Sequence, residues 1–204
     1  MTTSSPRRAA PLRRSVLLAD STTVAPALLG AVLVVGGCIG RIVEVEAYGG
    51  EDDPASHAYR GRTPRNAPMF ERAGTLYVYR SHGIHWCANV VTGEPGDAQA
   101  VLIRAIEPLA GIDDMLRRRS PVTDRRRLTD GPGKLCAALG IDGAGNGLDL
   151  CDPTSPVRLR RGAAPSAIGS SPRIGISVAA DRPWRWFDAS SPCVSRSRSV
   201  RRPC

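Results

Sequence analysis

The feature that most constrains this chain is a succession of short β-prone runs punctuated by glycines and turn residues, with no regular alternation of strand and helix between them. "AVLVVGG" followed by "CIGRIVEVEAY" reads as a hairpin, and "GTLYVYRSHGIHWCANVVT" as a second one turning near Ser81–Gly83. "AQAVLIRAIEPL" reads as a buried strand, and Val157–Arg160 and Arg173–Val178 as late strands. Helices are fewer. Asp20 or Ser21 is the expected cap of one that turns Val24, Leu28 and Leu29 inward and feeds a strand at Ala31–Val35. A second covers Gly111–Arg119, and a third starts in "TDGPGKLCAALGI", with Thr129 or Asp130 as cap and Pro132 in the first turn. The pattern is α+β, dominated by antiparallel hairpins.

A chain of 204 residues fits one folded unit with flexible ends. Its formal charge of +9 is concentrated at those ends: Arg7, Arg8, Arg13 and Arg14 precede any acidic residue, and Arg196, Arg198, Arg201 and Arg202 follow the last one. The expected organisation is a basic arm over 1–14, a folded domain over 15–188 and a basic tail over 189–204. Such arms add salt-sensitive affinity for polyanions. The six cysteines are scattered without a C-x-x-C pair, which favours reduced thiols in a cytoplasmic protein. "LRRSVLLAD" has a twin-arginine look, but Asp20-Ser21-Thr22-Thr23 interrupts the apolar run and leaves it too short to span a bilayer.

Chemistry concentrates in one third of the sequence. Of nine aromatic residues, Tyr48, Tyr59, Phe70, Tyr77, Tyr79 and Trp86 lie between positions 48 and 86, together with all three histidines. Rings with a stacking face and a polar edge suit a slot for a planar ligand, although the same cluster would also serve as a core. If Arg41–Tyr48 is a strand, Ile42, Glu44, Glu46 and Tyr48 share one face and Val43, Val45 and Ala47 the other. The apolar face belongs in the core, which sends Glu46 and Tyr48 to a cleft or to solvent.

These runs, with "ASHAYRGRTPRNAPMF", "DGPGKL" and "RIGISVAADRPWRWF", closely resemble the monofunctional alkyladenine (3-methyladenine) DNA glycosylases over roughly Ser15 to Phe187. The resemblance implies a single α/β domain around a curved, mainly antiparallel sheet with peripheral helices, and a β-hairpin that enters the DNA minor groove. It implies that Glu46 deprotonates the water that attacks the anomeric carbon. It maps Tyr48 and His57 to one wall of the base pocket, Tyr79 to the other, and Arg104 to its margin. Asn89 matches the residue that crowds the 2-amino group of normal guanine. His82 stands at the hairpin tip, where the best-known members carry a tyrosine wedge, and Arg65 and Lys134 are expected at phosphates. Glu44 is expected to be structural, paired with an arginine. The implied partner is double-stranded DNA carrying damaged purines, bound by a monomer in the cytoplasm at the nucleoid, without metal or cofactor.

Competing readings are weaker. His82, His85 and Cys87 could supply zinc ligands, but His82 and His85 would face opposite sides of a regular strand. "TDGPGKL" lacks the spacing of a P-loop. Lys134 is the only lysine, in a helix-start loop, which disfavours Schiff-base lyase chemistry. A noncatalytic nucleic-acid-binding module on the same scaffold is opposed by Glu46, since a carboxylate facing phosphates weakens binding.

Overall fold

The computed structural model describes residues 9–195. Its framework is one antiparallel sheet of eight strands: β1 (Val32–Val35), β2 (Cys38–Tyr48), β3 (Leu76–Ser81), β4 (His85–Thr92), β5 (Gln99–Ala110), β6 (Val157–Arg160), β7 (Ile168–Ser171) and β8 (Arg185–Asp188). The order is β3-β4-β5-β2-β1-β6, in which the two expected hairpins supply the β3-β4 and β2-β1 pairs, and β8 with β7 joins on the far half of β2. β2 is therefore shared: β1 pairs with its start, β8 with Glu44–Glu46, and β5 with most of its other edge. Helices α1 (Ser21–Leu28), α2 (Ile112–Arg118) and α3 (Pro132–Leu139) lie at the periphery of the sheet. Among the described residues no helix is long and apolar enough to cross a membrane.

One face of the sheet is the main core. Val45, Ala47, Leu76, Val78, Ala88, Val90, Val101 and Ile103 pack with Val24, Ala25 and Leu28 of α1 and Leu135, Cys136 and Leu139 of α3. Burying such side chains is worth about 1.5–3 kcal/mol each, which sets the strand phase. The expected alternation fails at one point. Ile42 pairs with Ile106 and Glu44 with Ala105, so Val43 is an extra residue on β2; Glu44 pairs with Ala105 and Val45 with Ile103, so Arg104 is an extra residue on β5. These two bulges reverse the phase. Ile42 joins the core of Val45 and Ala47 instead of sharing the face of Glu46, and Val43 packs with Ala105 and Cys193.

Other expectations are corrected by local bonding. Asp20 occupies the N-cap position of α1, but its carboxylate accepts from Gln99 Nε2 (3.2 Å), while Ser21 N–H donates to Gln99 Oε1 (2.8 Å). At α3 the N-cap is Gly131; Thr129 Oγ1 donates to Ile106 O (2.6 Å) and Asp130 receives Lys134 Nζ (2.7 Å). Arg173–Val178 is not a strand, because the Arg173 side chain is drawn into the interior and the Ile174 N–H turns to a carboxylate; the late strands are β6, β7 and β8.

The five described cysteines are free thiols. Parts of the expected arms are packed: Leu12 is buried and its N–H donates to Leu159 O (3.0 Å), Arg14 pairs with Asp149 (2.7 Å), and Cys193 is buried. Arg7, Arg8, Arg196, Arg198, Arg201, Arg202 and Cys204 lie outside the described residues.

Candidate active site

Strand register assembles the site. Tyr77 lies opposite Asn89, Asn89 opposite Leu102, Leu102 opposite Glu46, and Glu46 opposite Arg185, so one transverse row crosses five strands. Directly opposed residues project to the same side. This is the side away from the main core, and it floors a cleft of about 640 Å³. The lining includes Tyr48, His57, Arg65, Tyr77, Tyr79, His82, Asn89, Arg104, Pro132 and Ile174. Seven of the nine residues singled out from the sequence are therefore wall residues.

Glu46 is fully buried, immediately beneath that floor. Its Oε1 accepts from the Ile174 N–H (2.7 Å), its Oε2 accepts from the Tyr48 hydroxyl (3.0 Å), and Arg104 NH1 forms an ion pair with Oε2 at 3.1 Å. All three partners belong to residues that line the cleft, so the carboxylate is one residue away from a ligand. Burial disfavours the charge on Arg104, but Glu46 and Glu44 outweigh it and hold the guanidinium above its ordinary pKa. Burial, then the neighbouring Glu46 carboxylate, pushes the Tyr48 phenol well up, keeping it a hydrogen-bond donor.

Glu44 is paired with arginines, as expected: Arg104 Nε (2.9 Å) and Arg185 Nε (2.7 Å) both donate to Oε1. Burial works against its charge, yet Arg104 and Arg185 prevail and hold the carboxyl below its usual range. Two buried carboxylates thus face two buried guanidiniums, which offsets the desolvation of all four.

The aromatic wall is built by contact. His57 Nδ1 is 2.9 Å from the Tyr77 hydroxyl, and its ring meets Tyr79 edge-on at 4.3 Å. A ring inserted between two others needs about 7 Å, so His57 and Tyr79 form one joined surface here and not two walls with a gap. Tyr77 stacks on Tyr79 at 5.5 Å, and the Arg65 guanidinium lies 5.7 Å over Tyr79. Burial and then Arg65 hold the His57 imidazole below its ordinary pKa, favouring the neutral ring at pH 7, and burial pushes Tyr77 up to about 12. The buried Asn66 donates from Nδ2 to His57 O (2.8 Å) and so fixes the loop that presents the imidazole. Asn89 Nδ2 donates to Tyr77 O (3.0 Å), which fixes the plane of its amide.

His82 is at the tip of the β3–β4 hairpin. Ile84 N–H donates to Ser81 O (3.0 Å), and His82 and Gly83 both have positive φ (49° and 69°), the signs that a type I′ turn requires. Gly83 meets this without strain; His82 is the residue that carries it. Beside it Ile84 is 67% exposed. Lys134 does not line the cleft: it is paired with Asp130, one turn into α3. The start of α3 does touch the hairpin, since a Cβ on Gly133 would lie 2.8 Å from that of His85. Among the described residues no three His, Cys, Asp or Glu side chains gather as a metal group, and His82, His85 and Cys87 do not converge.

Sequence reasoning missed the lock behind Tyr48. Arg173 is buried, donating through NH2 to Asp53 Oδ1 (2.9 Å) and through NH1 to Asp53 Oδ2 and Ala47 O, with the rings of Tyr48 and Trp184 at 4.8 and 5.1 Å from its guanidinium. Asp53 in turn accepts from the N–H groups of Gly49 and Ala55. This ion pair joins the loop carrying His57 to the residue before Ile174. "SPRIGIS" offered no spacing signal for it, because the partners are 120 positions apart.

The comparisons with known proteins agree with one another. Residues 15–192 match the family described as methylpurine-DNA glycosylase (MPG). A Rhodopseudomonas palustris (strain BisB18) protein named "Putative 3-methyladenine DNA glycosylase" is 52% identical over 185 residues, covering 91% of this chain and 90% of that relative. Proteins of the same name from Mycobacterium sp. (strain KMS) and Burkholderia lata are 50% and 49% identical, covering 92% and 86% of this chain and 95% and 86% of their own lengths. With the match running through every strand that builds the cleft, the chain belongs to the methylpurine-DNA glycosylase family.

Proposed function

We propose that this protein is a DNA repair glycosylase that turns a damaged purine nucleotide out of duplex DNA into the aromatic cleft and hydrolyses its N-glycosidic bond. The observation that carries this reading is the buried Glu46 carboxylate beneath a cleft of base-binding size on a family-matched scaffold. The Ile174 N–H and the Tyr48 hydroxyl take two of the roughly four acceptor directions of the carboxylate, and one of those left suits a nucleophilic water. The water oxygen bonds to the anomeric carbon while Glu46 takes its proton; the C–N bond breaks and its electron pair leaves with the base. The negative carboxylate also stabilises the positive charge that develops on the sugar. Asp and Glu are absent from the described lining of the cleft. Glycoside cleavage ordinarily needs a second carboxyl to protonate the leaving group; an N3- or N7-alkylated purine is already cationic and leaves neutral without one. Hypoxanthine and ethenoadenine are further candidate substrates.

The hairpin tip, with His82 and the exposed Ile84, is the element suited to hold the gap left by the turned-out base. Arg65, which lines the cleft, and Lys134, which lies outside it at the start of α3, are the proposed phosphate contacts. The direct test is release of free base from duplexes carrying 7-methylguanine, 3-methyladenine, hypoxanthine or ethenoadenine, with undamaged purines as controls. Release from none of the damaged duplexes would leave only a DNA-binding role.

Selectivity provides a finer test at Asn89. Its amide is pinned by Tyr77 O on the cleft floor, so it cannot swing aside for a 2-amino group. Asn89→Ser is expected to raise excision of guanine-derived bases relative to hypoxanthine by about tenfold to a hundredfold, the effect of removing a clash of roughly 1–3 kcal/mol. An unchanged ratio in single-turnover assays sinks that role.

The arms are expected to add affinity without chemistry. Deleting residues 1–8 and 196–204 should weaken DNA binding and lower the slope of log affinity against log salt by about 0.9 for each phosphate that the arms neutralise. The single-turnover rate on saturated enzyme should stay the same. A salt slope identical to that of the full chain would show that the arms do not touch DNA.

A further inference from the structure

The second carboxylate of β2 is held from a direction that the cleft does not explain. Besides Arg104 and Arg185, Glu44 receives two hydrogen bonds from Ser195, 151 positions away: the backbone N–H donates to Oε2 (2.6 Å) and the hydroxyl to Oε1 (2.6 Å). Two residues earlier Cys193 is buried against Val43, the extra residue of β2, and Ala105, the neighbour of the extra residue of β5. Arg104 is itself the bulge residue of β5 and uses one guanidinium for both carboxylates, Nε to Glu44 and NH1 to Glu46. A relay therefore runs from Ser195 through Glu44 and Arg104 to Glu46, and Ser195 is not part of the cleft wall.

We infer that Ser195 is a positioning residue for base excision: by clamping Glu44 it aims Arg104 at Glu46. The inference rests on the reading of Glu46 as the group that activates water. The physical reason is geometric. Without Ser195, Glu44 keeps only the two Nε donors, both on Oε1, and its Oε2 loses the donor that fixes the carboxylate plane. Arg104 then follows Glu44 as that plane rotates, and its NH1 leaves the line to Glu46. Because the relay lies beneath the cleft, it sets the rate of the chemical step and leaves DNA binding alone.

The test uses the full chain and a duplex containing 7-methylguanine. Ser195→Pro removes both donors, Ser195→Ala removes one, and Ser195→Thr keeps both. Single-turnover excision should fall by about tenfold or more in Ser195→Pro and by less in Ser195→Ala, as expected for charge-assisted hydrogen bonds, and should return to the full rate in Ser195→Thr. Affinity for the same duplex with an abasic analogue should be unchanged throughout. All rates are read well below the lowest unfolding midpoint of the set; if Ser195→Pro has no folded baseline there, Ser195→Ala against Ser195→Thr decides. A further variant with Arg196, Arg198, Arg201 and Arg202 replaced by serine should lose affinity and keep its rate, which separates the clamp from the basic tail. A full rate in the folded donor-deleted variant overturns the inference, as does a loss of rate matched by an equal loss of affinity. If the unmodified protein releases no base, the glycosylase reading fails instead, and the comparison shows which of the two was wrong.

Discussion

Glu46→Gln is expected to abolish base excision, lowering the single-turnover rate by about a hundredfold to ten-thousandfold, the range for loss of a positioned general base, while affinity for abasic-site DNA is kept. The structure makes this a demanding substitution. Ile174 N–H and the Tyr48 hydroxyl both donate into the carboxylate and Arg104 NH1 pairs with its charge, whereas glutamine has no charge and one acceptor oxygen and presents an NH2 group to the donor that remains. Some loss of stability should therefore accompany the loss of rate, and unfolding curves must show that the variant is folded under assay conditions. Retention of more than about a tenth of the rate, a loss much smaller than a general base supplies, would move catalysis to another group. Glu44 is a poor substitute, because Arg104, Arg185 and Ser195 together place four hydrogen bonds on its carboxylate.

The largest stability effect should come from the ion pair behind Tyr48. Asp53→Asn leaves Arg173 buried with its charge uncompensated, and removing one partner of such a pair costs about 3–5 kcal/mol. For a chain of this size that lowers the unfolding midpoint by roughly 6–20 °C. The pH dependence gives an independent check. Burial raises the Asp53 pKa, but the bond from Arg173 and the N–H groups of Gly49 and Ala55 outweigh it and hold the carboxyl below its usual value. Its contribution is therefore complete at neutral pH and is lost as the pH falls through the depressed folded-state value. Asp53→Asn should flatten the acid side of the stability profile as well as lower it. The double change Asp53→Leu, Arg173→Met should recover much of the stability, because an apolar pair needs no desolvation. Excision should stay low, since neither replacement holds the backbone that presents Ile174 to Glu46. Urea unfolding across pH, read beside single-turnover rates, tests both statements; a double variant with a full rate would show that the ion pair supports folding alone.

How much of this is legible in the sequence follows from the range of each interaction. The hairpins, the long strand through Glu46 and the clustering of rings between positions 48 and 86 are local patterns, and the site residues read from them lie where the cleft is. A period of two cannot register a bulge, so it puts Ile42 on the wrong face even though it places Glu46 and Tyr48 together correctly. "RIGISV" has the composition of a strand, but Arg173 and Ile174 spend their donors on Asp53, Ala47 and Glu46. Those partners are remote in sequence and invisible to any local rule. The same holds for Ser195 on Glu44, since its own neighbourhood has the composition of a basic tail.

The two bulges make strand length matter more than side-chain identity. Val43 on β2 is matched by Arg104 on β5, so both strands leave the irregular stretch in step and Glu46 returns to the row of Asn89 and Leu102. A one-residue insertion or deletion between Ile42 and Glu46 would turn the carboxylate toward Val101 and Ile103 and bring Val45 into the cleft. Only a compensating change in β5 near Arg104 would undo it. Frame-preserving length variants in this stretch should therefore be lethal to activity singly and tolerated in pairs, whereas point changes among the apolar neighbours need only respect volume.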